Sequence, residues 1–127
     1  MRDFRKLKIW IQAIEIVTKV YALTAKLPDT EKYGLKSQVQ RAAVSIPSNI
    51  AEGASRDSEL EFKRFLEIAI GSSFEVETQL VIAQNLKMLN QDELKEIFSL
   101  ISSEQKMLNS LISKINIGKP KKPNANS

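Results

Sequence analysis

Four stretches of this chain repeat apolar residues at intervals of three and four, the spacing of one face of an α-helix, and nothing alternates at period two for long enough to make a strand. The punctuation between them is equally regular. The first stretch runs from about Leu7 to Leu27 and meets Pro28, which cannot continue a helix. The second begins between Thr30 and Leu35 and ends at Gly53, read as a left-handed C-terminal residue. The third opens on Ser58 with Glu61, a capping box, and runs to about Met88; Asn90 with Glu93 offers the same device to the fourth, which reaches about Ile115 before Gly118 and Pro120. Connections of roughly three to six residues favour antiparallel neighbours. The expected fold is therefore all-α, an antiparallel up-down-up-down four-helix bundle over residues 1–116, followed by a disordered basic tail over 117–127.

The stripes also define an expected core. It comprises Leu7, Trp10, Ile14, Val17 and Tyr21 in the first helix and Leu35, Val39, Ala42, Ala43, Ile46 and Ile50 in the second. The third supplies Phe62, Phe65, Leu66, Ala69, Val76, Leu80 and Ala83, and the fourth Leu94, Ile97, Phe98, Ile101, Leu108, Ile112 and Ile115. Further apolar residues lie off these stripes. Helix one has a second row, Ile9, Ile16, Val20, Leu23 and Leu27, about half a turn from the first; Ile70, Phe74 and Val81 repeat the pattern in helix three, and Leu100, Met107 and Leu111 in helix four. Each large apolar side chain left in water forgoes about 1.5–3 kcal/mol. The surplus rows predict self-association through helix one and parts of helices three and four, as a closed homo-oligomeric ring. A single bundle with wide, irregular interfaces is the plainer alternative.

Helix two is unusual on its other side. Arg41, Ser45, Ser48 and Glu52 gather there with Asn49 beside them, where an ordinary solvated face carries long Lys and Glu side chains. Pro47 deletes a backbone N–H and crowds the Ala43 carbonyl, at a cost of roughly 3 kcal/mol in a helix interior. A polar network at a subunit boundary is the favoured reading of this stripe, and a ligand groove or pore lining the alternative. Glu77 lies close to the core stripe of helix three and needs a partner, for which Arg41 or Arg64 of a neighbouring copy is a candidate.

The run from Arg41 to Gly53, RAAVSIPSNIAEG, together with FRKLKIW from Phe4 to Trp10, EFKRFLEIAIGSS from Glu61 to Ser73 and EVETQL from Glu75 to Leu80, resembles the four-helix bundle family of 23S rRNA-intervening sequence proteins. The resemblance covers roughly residues 4 to 115. It departs at Ala54, where relatives often carry an aromatic, and at Ser73-Phe74, which replaces Leu-Asn. A related branch, the accessory proteins of diversity-generating retroelements, forms five-membered rings that engage nucleic acid and a reverse transcriptase. The resemblance thus implies a pentamer and a connection to RNA, and no chemistry.

Composition narrows the function further. With no Cys and no His, disulfides, structural zinc and imidazole catalysis are excluded. Di-metal carboxylate bundles need Glu-x-x-His motifs, so no metal is expected, and no cofactor either. No phosphate-cradling glycine loop and no nucleophile with a base are present, so no enzyme and no small-molecule substrate are expected. Charges at Arg2, Asp3, Arg5, Lys6, Lys8, Glu15 and Lys19 interrupt any leader or membrane span, and the expected location is cytoplasmic. Net charge is +4 overall, with +3 on residues 1–8 and +4 on residues 114–127, which leaves −3 on the body between. An up-down bundle brings Arg2, Arg5, Lys6, Lys8, Arg56, Lys114, Lys119, Lys121 and Lys122 to one pole, the candidate nucleic-acid surface. The sequence therefore points to a bundle that binds itself and either RNA or an RNA-bound protein, with a scaffold that binds only protein as the alternative.

Overall fold

A computed structural model describes residues 2–115, and within them every regular element is helical. Helices α1 (Lys8–Thr24), α2 (Leu35–Ala54), α3 (Glu59–Asn85) and α4 (Gln91–Lys114) are accompanied by two 3₁₀ turns, Phe4–Lys6 before α1 and Asp29–Glu31 before α2. The sequence boundaries hold to within a turn. At the start of α3, Ser58 Oγ accepts from the Glu61 N–H at 3.0 Å. The α4 box is reciprocal: Asn90 Oδ1 accepts from the Glu93 N–H at 2.8 Å, and Glu93 Oε1 accepts from the Asn90 N–H at 3.0 Å. Helix α2 starts after Gly34, which has no side chain to cap it, so Glu31 Oε1 reaches forward to the Leu35 N–H at 3.1 Å. Lys119, Lys121, Lys122 and the basic tail lie outside the described residues.

Each helix packs against its neighbours in sequence, α4 returns against α1, and α2 with α3 forms the most extensive pairing. Among the described residues the diagonal pairs α1–α3 and α2–α4 have no Cα atoms within 8 Å of each other. Each seam carries a side-chain hydrogen bond: Gln40 to Thr24 between α1 and α2 (2.9 Å), Ser45 with Ser72 between α2 and α3 (2.8 Å), Gln105 to Glu77 between α3 and α4 (2.9 Å), and Gln12 to Ser103 between α4 and α1 (3.2 Å).

The core corrects the reading of α1. Ile9, Ile16, Val20, Leu23 and Leu27, taken above as a surplus row for a second copy to cover, are buried inside the single chain, with Ala13 and Thr24 between them. The row taken as core faces outward instead: Ile14 and Tyr21 are exposed, and Leu7, Trp10 and Val17 are half-buried. Two apolar rows of similar strength left the choice open. The small residue Ala13 marks the row that fits against α2 and α4, whereas the wide Trp10 and Tyr21 sit at the margin. Ile70 is also buried within the subunit, while Phe74 and Val81 remain exposed. The stripes of α2, α3 and α4 form the core as expected, with Leu35, Phe65, Phe98 and Ile112 half-buried at its edge.

Gly53 is a second correction. It lies within α2, not beyond it, and it is buried. A Cβ there would stand 2.6 Å from Phe65 Cβ and 3.2 Å from Phe62 Cδ1, so glycine is required by the close approach of α3 and not by a left-handed turn. Helix α2 runs through Pro47 without a break; one turn away, the Asn49 amide donates to the Ser45 carbonyl at 2.8 Å and to Ser45 Oγ at 2.9 Å.

Candidate nucleic-acid interface and association surfaces

The cationic residues of the pole divide into two kinds. Arg2, Arg5 and Arg56 are each engaged by a carboxylate and a ring. Arg2 pairs with Glu59 and stacks 4.1 Å from the Phe62 centroid, while its N–H donates to the Ala54 carbonyl at 3.2 Å. Arg56 pairs with Glu52 at 2.6 Å and lies over Phe65, and Arg5 pairs with Asp3 at 3.3 Å and lies over Phe4. Arg2 and Arg56 fasten the N-terminal segment and the α2–α3 turn to the bundle, whereas the contacts of Arg5 stay within its own segment. Lys6, Lys8 and Lys114 are exposed and have no carboxylate within 4.0 Å among the described residues. Lys8 lines one shallow groove with Gln12, Ser103 and Met107, which brings it beside the later part of α4. Phe4 meets Trp10 edge-on at 5.2 Å, so neither ring is a free stacking platform.

At the other end of α1, the Glu96 carboxylate accepts a hydrogen bond from Lys19 and raises that ammonium above the usual lysine value. Lys26, and then the Asn90 N–H, hold Glu93 below the usual carboxylate value.

Besides the scattered Ile11, Tyr33, Leu60 and Leu86, exposed apolar residues lie in two places. Trp10, Ile14 and Val17 of α1 and Val44, Pro47 and Ala51 of α2 line a groove of about 320 Å³, with Ser48 at its edge. On α3, Phe74 is 49% exposed, and Ile68, Val81 and Ile82 are also exposed. The stripe read on α2 is thus divided. Ser48 faces the α1 side, Ser45 and Asn49 form a network with Ser72 inside the subunit, Arg41 lines a second groove between α2 and α3, and Glu52 serves Arg56. Within the chain, Glu77 Oε1 accepts from the Gln105 amide at 2.9 Å.

One group escaped the sequence reading. Glu104 is 0% exposed, and neither carboxyl oxygen has a hydrogen-bond partner among the described residues. Burial pushes its pKa up to about 8. Its position was readable: it falls three residues after Ile101 and four before Leu108, on the core stripe of α4. No group of three or more His, Cys, Asp or Glu among the described residues could hold a metal, and no described helix is long and apolar enough to cross a membrane.

Comparison with known proteins agrees with this architecture. Residues 5–110 match the family model described as 23S rRNA-intervening sequence protein. A crystal structure of a protein of unknown function from the S23 ribosomal protein family of Bacteroides thetaiotaomicron is similar at 21% identity, with a TM-score of 0.78, over 84% of this chain and 99% of that one. No curated protein matches.

Proposed function

The chain belongs to the 23S rRNA-intervening sequence protein family, and we propose that it is a non-enzymatic, self-associating helical bundle that engages RNA, or a protein already bound to RNA, through a cationic end. The reading takes the helices as up-down-up-down. Support for this comes from the short connections on either side of α3, the link from α1 to α2 being longer than expected, and from pairs that run in opposite order along α1 and α4, Gln12 with Ser103 and Lys19 with Glu96. In that arrangement the N-terminal segment, the α2–α3 turn and the end of α4 share one pole. One observation carries the RNA reading: Lys6, Lys8 and Lys114 are exposed and unpaired among the described residues, while the arginines beside them are held by carboxylates and rings. Lys119, Lys121 and Lys122 follow in the sequence. Cations of this kind neutralise phosphates without reading bases, and repetition around a ring multiplies their effect.

Filter binding of a single-stranded RNA at about 50 and 200 mM salt tests the phosphate mechanism. Affinity is expected to fall roughly ten- to a hundredfold across that range, and the triple variant Lys6→Ala, Lys8→Ala, Lys114→Ala to reduce the salt slope by about two. No binding at low salt, or binding indifferent to salt, rejects it. Salt-insensitive capture of a protein would instead favour the scaffold reading, which rests on the exposed apolar faces.

The self-association surface in this proposal is the outward row of α1 with the adjoining face of α2, extended by Phe74 and Val81, and the five-membered ring of the related branch is the proposed assembly. Val17→Asp places a charge in the α1–α2 groove without entering the core and is expected to lower the sedimentation mass to that of one chain. A wild-type chain already sedimenting at one subunit mass sinks the assembly.

A further inference from the structure

The polar side of α2 that the proposed function leaves unused borders a groove of about 310 Å³ between α2 and α3, at the small end of the range of about 300–1,000 Å³ typical of ligand sites. Its lining has an uncommon composition. The bonded pair Ser45 and Ser72 lies within it, and Ser72 is 5% exposed. Arg41 and Glu75, of opposite charge, border the same groove, yet neither has an ion-pair partner within 4.0 Å among the described residues. Gln38 and Gln79 add two amides, and Gln79 Oε1 is buried with no donor among the described residues.

We infer that this groove binds a small zwitterion of the α-amino-acid class, with its carboxylate on the Arg41 guanidinium and its ammonium on the Glu75 carboxylate. The donor and acceptor chemistry selects that class. A guanidinium presents a planar fork suited to a carboxylate. An ammonium donates its N–H groups to a carboxylate such as that of Glu75. A simple anion would have to sit near Glu75 and a metal cation near Arg41, so ligands of net charge are disfavoured by one wall or the other. The small hydroxyls of Ser45 and Ser72 leave room for a short ligand backbone where larger side chains would fill the groove. This site is separate from the cationic pole and does not depend on RNA binding.

Isothermal titration of the full chain with each of the standard amino acids, up to about 20 mM, tests the site. At least one is expected to bind saturably. Its N-acetyl amide, which lacks both charges, is expected to bind at least about tenfold more weakly, as are Arg41→Gln and Glu75→Gln with the free amino acid. Both substituted residues are exposed, so helical content by circular dichroism is expected to stay unchanged, and RNA binding with it. No saturable binding by any amino acid, or binding that both variants and the blocked ligand preserve, overturns the inference.

Discussion

Replacing Glu104 by leucine is expected to stabilise the subunit at neutral pH by about 1–4 kcal/mol, an unusual direction for a core substitution. Leucine is close to glutamate in volume, and the site already lies between Ile101 and Leu108 on the inner face of α4. The native carboxyl is fully enclosed with both oxygens unpartnered, so its ionised form loses hydration and gains nothing in return. The consequence appears as a pH dependence. Burial raises the folded-state pKa from 4.5 to about 8, so between those values the folded chain holds a proton that the unfolded chain has released. Stability is therefore greatest below about pH 4.5 as far as this group is concerned, and it declines as pH rises towards 8, by an amount on the order of 4 kcal/mol. Glu104→Gln is expected to flatten that decline while gaining less than leucine, because an unpartnered amide remains costly. Urea unfolding of the three proteins at pH 5, 7 and 9 measures both effects. A wild-type profile that does not decline, or a Gln variant that declines in parallel with it, would show that the carboxyl has found a partner or water.

The same substitution, Gly→Ala, is expected to have opposite signs at two positions. At Gly53 the new Cβ would lie 2.6 Å from Phe65 Cβ and 3.3 Å from the Phe62 carbonyl oxygen. Neither atom can rotate away, so α2 and α3 must separate. Alanine's helix propensity returns about 1 kcal/mol, and the overpacking costs more, so a net loss of roughly 1–3 kcal/mol is expected. At Gly71, inside α3, a Cβ meets nothing within 4 Å, and only the propensity gain of about 0.5–1 kcal/mol remains. Thermal unfolding followed at the helical signal distinguishes the two variants directly. A Gly53→Ala protein as stable as the parent would mean that the helix pair has slack.

These two positions also show where the sequence was legible. The caps at Ser58 and Asn90 were readable because each is a local device, complete within four residues. The stripes of α2 and α4 were readable because each has one dominant apolar face, whereas α3 is apolar on several sides, and Ile70 of its second row joined the core. Helix α1 was not readable, since its two apolar rows differ less in hydrophobicity than in shape, and the choice between them is made by the helices it meets. Gly53 followed the same pattern. Its position after an apolar stripe suggested a terminator, and only the approach of Phe65 from another helix reveals its role. Among the site residues, sequence could not separate Arg2 and Arg56, anchored by Glu59 and Glu52, from the unpaired Lys6, Lys8 and Lys114.

The side-chain hydrogen bonds across the four seams carry a further implication. Leu, Ile and Val tolerate one helix sliding past another by a turn, because oily surfaces match almost as well after the shift. Hydroxyls and amides do not. Moving α2 along α3 by four residues would strand Ser72, which is buried, and the corresponding slip of α1 or α4 would strand the Gln40 amide or Glu77. Polar rungs at Thr24–Gln40, Ser45–Ser72, Glu77–Gln105 and Gln12–Ser103 thus act as detents that stop the four rods at one longitudinal setting, a precision that grease alone would not impose.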